Sequence, residues 1–216
     1  METIDIKKLS YEEKIDLASN NETSAELLAM LAKDEDSDVR FYVAQNENTT
    51  AEILSPLAKD EKEDVRYTVA ANRNTSADTL AILAKDVTID IRCAVAKNKN
   101  TPVELLVVLA QDKHWLVRQT VALNENTSAE ILAMLAKDEG LLVREAVAYN
   151  RNTPADVLAI LAKDKDCYVR KAVAENKNTS VETLVMLSKD NNEWVSEAAE
   201  NALKERKEKC KASMER

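Results

Sequence analysis

The 216 residues are 45% hydrophobic, enough to bury a core, yet 4% are aromatic and a single glycine is present, so the turns, bulges and phosphate loops of a β-sandwich or an α/β enzyme are excluded in favour of helix. A net charge of -9 with scattered basic residues disfavours nucleic acid, because the body would repel a phosphate backbone. No apolar run approaches the roughly 20 residues of a membrane span, and METIDIKK lacks the order of a signal peptide, so a cytoplasmic protein without membrane attachment is expected.

Sliding the sequence along itself gives one strong offset, of 26 residues. The segment LA(K/Q)D or a variant ends at Asp34, Asp60, Asp86, Asp112, Asp138, Asp164 and Asp190, and a VR or IR pair places Arg40, Arg66, Arg92, Arg118, Arg144 and Arg170. Seven copies without insertion require one repeated stacking geometry, which is a solenoid. The expected organisation is one all-α domain over 1–216, with a half-repeat cap at 1–19, repeats at 20–192 and a capping helix at 193–216.

In chain order, the half unit comes first: KIDLASNNET at 14–23 aligns with RFYVAQNENT at 40–49, which puts Lys14 at the arginine position. Each repeat then opens with a helix capped at the threonine of NxNT. Thr127 and Glu130 have the spacing of a capping box, and Pro102 and Pro154 fit the first helical position, where a missing N–H costs nothing. Ile131, Leu132, Met134 and Leu135 supply the apolar face of that helix. A four-residue variable segment follows the aspartate and leads to a shorter second helix, whose VRxxVA core is Val143, Val147 and Ala148 in one copy. That helix is expected to end at an asparagine, Asn150, in the left-handed conformation glycine usually supplies. Pro56, inside the first helix of its unit, should remove one hydrogen bond and kink it.

The aspartate and arginine columns read as a structural ladder. Pairing within a unit would leave Asp190 opposite Ser196 and Lys14 without an acid. Pairing each cation with the next unit's aspartate, from Lys14 with Asp34 to Arg170 with Asp190, leaves nothing over. The forward ladder is therefore expected, and it includes Arg92 with Asp112.

The unit VREAVAYNRNTPADVLAILAKD at 143–164 resembles the leucine-rich repeat variant family, and its DxxxxxVR element resembles HEAT repeats. The likeness covers about residues 14–202. It implies a right-handed superhelical solenoid of alternating α-helices and shorter, partly 3-10 helices, and little about function. Some relatives hold an iron-sulfur cluster on N-terminal cysteines; none stands in this N-terminus, so no cofactor is carried over.

Information for a partner must lie where the repeats differ. The variable segments are EDSD, EKED, VTID, KHWL, EGLL, KDCY and NNEW. Their third and fourth positions turn from acidic to apolar at mid-chain, giving Ile89, Trp115, Leu116, Leu141, Leu142, Tyr168 and Trp194 as a candidate stripe for a protein or peptide. The competing reading folds the fourth position back against the second helix and exposes only the third. The middle residue of NxN (Glu47, Arg73, Lys99, Glu125, Arg151, Lys177) alternates in sign like a solvated face. Phe41, Tyr42, Tyr67 and Tyr149 could form a second surface but read better as packing.

No catalytic constellation emerges. His114, the one histidine, has Asp36, Lys62, Thr88, Gly140, Asp166 and Asn192 as equivalents, and no GxSxG, CxxC or glycine loop occurs. Cys93, Cys167 and Cys210 stand far apart and read as free thiols. From Lys204 to Arg216 there are six basic and three acidic residues, which fits a solvated end of the capping helix better than an arm for an acidic partner. The reading is a non-enzymatic scaffold for protein or peptide partners, with no metal or cofactor. A HEAT-like nucleic-acid binder and a self-associating element are the alternatives, and the chain is expected to be a monomer or to self-associate weakly.

Overall fold

The computed structural model describes residues 5–214, with side chains to residue 208. Cys210 and most of the basic end segment therefore lie outside the described side chains. Among the described residues there are fifteen α-helices and no strand. They are α1 (Tyr11–Ser19), α2 (Ala25–Leu31), α3 (Ser37–Gln45), α4 (Ala51–Leu57), α5 (Glu63–Ala71), α6 (Ala77–Leu83), α7 (Ile89–Lys97), α8 (Val103–Leu109), α9 (Trp115–Leu123), α10 (Ala129–Leu135), α11 (Leu141–Tyr149), α12 (Ala155–Leu161), α13 (Cys167–Glu175), α14 (Val181–Leu187) and α15 (Glu193–Met214). A 3-10 turn, Ile6–Lys8, precedes α1. The chain forms two compact units, one ending at Leu105 and the other beginning at Leu106, a division that falls inside α8.

The relative helix lengths reverse the expectation. Even-numbered helices span seven residues and odd-numbered helices α3 to α13 span nine, and both kinds are α. The first helix of each repeat is short because its last turn tightens at LAKD: Lys137 N–H donates to Met134 C=O, and Asp138 N–H to Leu135 C=O. The second is longer because it begins inside the variable segment, whose second residue is the N-cap.

Helix starts lie one residue later than the capping-box pattern placed them. Ser24, Ser76, Ser128 and Ser180 are the N-caps, each accepting from the N–H three residues on, and Pro154 is itself a cap rather than the first helical residue. The threonines do a different job. Thr49, Thr75, Thr101, Thr127, Thr153 and Thr179 are buried, and each hydroxyl donates at 2.5 Å to the carbonyl six residues earlier, from Val43 to Val173. They give carbonyls in the last turn of the preceding helix a second donor beside the N–H of the asparagine that ends it.

The asparagines also differ from expectation, since no described residue has positive φ. Asn150 is extended, with φ -65° and ψ 126°. Its side chain explains the column: Nδ2 donates to Ala122 C=O at 2.7 Å and Asn124 C=O at 3.0 Å, both in the preceding repeat. Its Oδ1 accepts from Asn152 N–H at 2.8 Å. Asn46, Asn72 and Asn98 in the first unit, and Asn176 in the second, do the same. Each is a buried amide tying one repeat's backbone to the next.

The core is leucine from the short helices and valine from the long ones, such as Leu132, Leu135, Val143 and Val147, all essentially inaccessible. Within each unit the long helices pack on one another in sequence, α1 through α3 and α5 to α7, and α9 through α11 and α13 to α15. Met134 departs from the expected apolar face, being 40% exposed; it lies two residues past Leu132 and one before Leu135, about 200° and 100° of helix rotation from those core positions. Pro56 sits in the last turn of α4, which keeps the seven-residue span and the closing geometry of its sisters. The missing N–H costs one bond near a terminus, where the penalty is least.

Candidate binding face

The charged columns form forks between repeats. Arg144 Nε donates to Asp164 Oδ2 at 2.6 Å and Nη2 to Asp164 Oδ1 at 3.1 Å, while Nη1 reaches back to Asp138 C=O at 2.9 Å. The arrangement recurs at Arg40 with Asp60, Arg66 with Asp86, Arg118 with Asp138 and Arg170 with Asp190. Lys14 makes a single contact with Asp34, at 2.8 Å. Arg92 Nη1 donates to Asp86 C=O at 2.8 Å, and Asp112 Oδ1 accepts from His114 N–H. Burial alone would raise the Asp164 carboxyl, but Arg144 and the Asp166 N–H outweigh it and hold the group below the usual aspartate range. Bidentate and mostly buried, these groups are committed to structure.

His114 is the N-cap of α9, its Nδ1 accepting from Leu116 N–H at 3.3 Å, and its ring stacks on Trp115. Asp36, Asp166 and Asn192 cap α3, α13 and α15 in the same way. A histidine here supplies a lone pair to a helix end. Among the described residues no three His, Cys, Asp or Glu side chains gather as metal ligands.

The third and fourth variable positions are the first two residues of the long helices, not loop. In the second unit they bring six of the seven stripe residues into two adjacent rows. Trp115, Leu142, Tyr168 and Trp194 are 41%, 40%, 51% and 57% exposed, while Leu116 and Leu141 are half-buried. Ile89, half-buried, is the first unit's representative, at the start of α7. Of the fourth row in this unit, Leu142, Tyr168 and Trp194 are thus exposed rather than folded back, and Leu116 is half-buried. Tyr168 and Trp194, one repeat apart, stand with ring centroids 6.4 Å apart. At the same helical position the first unit carries Asp38, Asp64 and Asp90, all exposed, and Tyr11 donates to Asp38 at 3.0 Å.

A second apolar band lies at the other end of the same helices, where sequence reasoning preferred packing for Tyr149 and missed Leu123. Leu123 and Tyr149, the last residues of α9 and α11, are exposed and border an open cavity of about 250 Å³ with Glu125 and Arg151. Tyr67 is likewise exposed, whereas Phe41 and Tyr42 pack edge to face and are half-buried. The signal was a 26-residue column holding Leu123 and Tyr149 beside Gln45, Ala71, Lys97 and Glu175. Between the bands lie Glu145 and Lys171, the latter paired at 2.6 Å with Glu175 at the end of its own helix; burial and Asp166 push the Glu145 carboxyl up. In the NxN column, Glu47 pairs with Arg73 and Glu125 with Arg151, each in the open and each at 2.8 Å. Such exposed pairs contribute little.

Residues 141–166 match the family model described as leucine rich repeat variant. A solved structure titled a leucine-rich repeat variant with a novel repetitive protein structural motif is similar over 88% of this chain and 81% of its own, at 27% identity and a TM-score of 0.66. The YibA protein of Escherichia coli aligns over 92% of this chain and 87% of its own, at 19% identity and a TM-score of 0.49. A designed armadillo repeat protein in complex with peptide (KR)4 aligns over 89% and 90%, at 15% identity and a TM-score of 0.30. No curated protein matches the chain in sequence. No described helix is long and apolar enough to cross a membrane.

Proposed function

Taking the chain as a helical repeat protein of the leucine-rich repeat variant type, we propose that it is a non-enzymatic scaffold whose second unit binds a protein or peptide through Trp115, Leu116, Leu141, Leu142, Tyr168 and Trp194. One observation carries this reading. A helical position that bears exposed aspartate in the first unit bears exposed Leu142, Tyr168 and Trp194 in the second, where the area left to solvent adds nothing to their own fold. Contiguous apolar side chains rimmed by charge mark binding surfaces, and tryptophan and tyrosine are the residue types that anchor them. Enzymatic chemistry has no support from the same face, since its histidine is a cap and its buried acids are held by arginines.

The test is a displayed peptide library selected against the intact chain, followed by titration of the selected peptides. Trp115→Ala with Tyr168→Ala is expected to weaken binding about thirtyfold to a thousandfold, since each anchor of this kind is worth roughly 1–2 kcal/mol. The far-ultraviolet circular dichroism and the melting temperature should hardly move, because both side chains are partly outside the core. Equal binding by the folded double variant rejects the stripe.

A further inference from the structure

The outer faces of the short helices carry a pattern that neither the fold nor the stripe uses. In the repeat of α10, Glu130, Met134 and Lys137 are exposed at spacings of four and three, and so share one face. Asp156, Ile160 and Lys163 repeat the pattern along α12, and Glu182, Met186 and Lys189 along α14. Three parallel rows result: carboxylates at the helix N-termini, apolar side chains in the middle, and lysines just past the C-termini. The helix macrodipole accounts for the polarity of the charged rows. It does not account for the apolar row, where Met134, Ile160 and Met186 are 40%, 57% and 41% exposed. Among the described residues none of the three lysines is in an ion pair.

We propose that this face is an interface between two copies of the chain. Charge complementarity selects the occupant. When a second copy is turned by a two-fold axis parallel to the rows and laid on the first, the apolar rows meet and each carboxylate row faces a lysine row. The other two-fold lying in the face sets acid against acid and lysine against lysine, so the two stacks run parallel. The contact is isologous, Glu130 opposing Lys137 of the same repeat in the other copy and the reverse. A nucleic acid or an anionic lipid surface would satisfy the lysines only while facing the carboxylate row, at a cost from like charge.

Sedimentation equilibrium of the full chain tests this. The wild type is expected to pass from monomer to dimer as concentration rises. One variant carries Lys137→Glu, Lys163→Glu and Lys189→Glu; another carries Glu130→Lys, Asp156→Lys and Glu182→Lys. Each alone should stay monomeric where the wild type is dimeric, and an equimolar mixture should restore a dimer containing one of each. If a triple reversal loses helix by circular dichroism, Met134→Glu with Ile160→Glu interrupts the apolar row and should likewise give a monomer. Trp115→Ala with Tyr168→Ala should leave the dimer intact. A wild type that is monomeric throughout, reversals that dimerise as well as the wild type, a mixture that stays monomeric, or a dimer lost with the aromatic pair overturns the proposal.

Discussion

Arg144 illustrates what one residue of the ladder contributes. Its guanidinium is nearly buried, satisfied on one side by its own repeat's carbonyls and on the other by both oxygens of Asp164. Replacing such a pair by apolar groups can be neutral, whereas removing one partner strands the other. Arg144→Met is therefore expected to cost about 3–5 kcal/mol at neutral pH. The sign of the pH dependence follows from Asp164, whose carboxyl is lowered from 3.8 in the folded chain. Its contribution is complete above that unfolded value and declines as pH falls through the depressed folded one. In the variant the buried carboxyl has lost its cation and gains by taking a proton. The difference between wild type and variant should then narrow as pH drops below about 4. Urea unfolding of both proteins over that range measures it, and a constant difference would mean that the fork is not what stabilises the site.

At the ends of the helices, what the sequence reveals and what it conceals divide cleanly. The period and the forward ladder pairing were legible because the chain ends, Lys14 and Asp190, leave one arrangement with no orphan. Helix boundaries were less so: NTS offers two hydroxyls, and only packing decides that buried Thr127 donates to Val121 C=O while Ser128 caps α10. The apolar trend of the stripe was legible as a column, but its exposure was not. Whether Tyr168 faces solvent depends on the residue being the second of a helix, and so on the cap one residue before the helix starts. Asn150 was the least legible. Asparagine at a helix end usually signals left-handed backbone, and its amide instead reaches back 28 and 26 residues to carbonyls of the preceding repeat. The distinction can be measured. A left-handed cap would tolerate Asn150→Gly, whereas the observed amide leaves the Ala122 and Asn124 carbonyls without their donor when removed. Glycine there is expected to destabilise by about 1–3 kcal/mol, as much as alanine or more, by chemical denaturation. A neutral Asn150→Gly would return the column to a backbone role.

Because the Asn, Thr, Asp and Arg columns each reach only the same or an adjacent repeat, whole repeats are interchangeable parts. Removing 130–155, one 26-residue period, joins Ala129 to Asp156 and keeps every column in register. Arg118 then faces Asp164 in place of Asp138, and Asn176 finds Ala122 and Asn124 where it had Ala148 and Asn150. Nothing polar loses its partner type, and the leucines and valines still alternate as before. The shortened chain is expected to fold with proportionate helical ellipticity. Its urea m-value should fall by roughly one eighth, since m follows the surface exposed on unfolding. A deletion of half a period sets a short helix where a long one belongs and strands a ladder arginine, an asparagine amide and a threonine hydroxyl at once. That protein should lose cooperative unfolding. If instead the full-period deletion fails and the half-period one folds, stability does not reside in the contacts between neighbouring repeats.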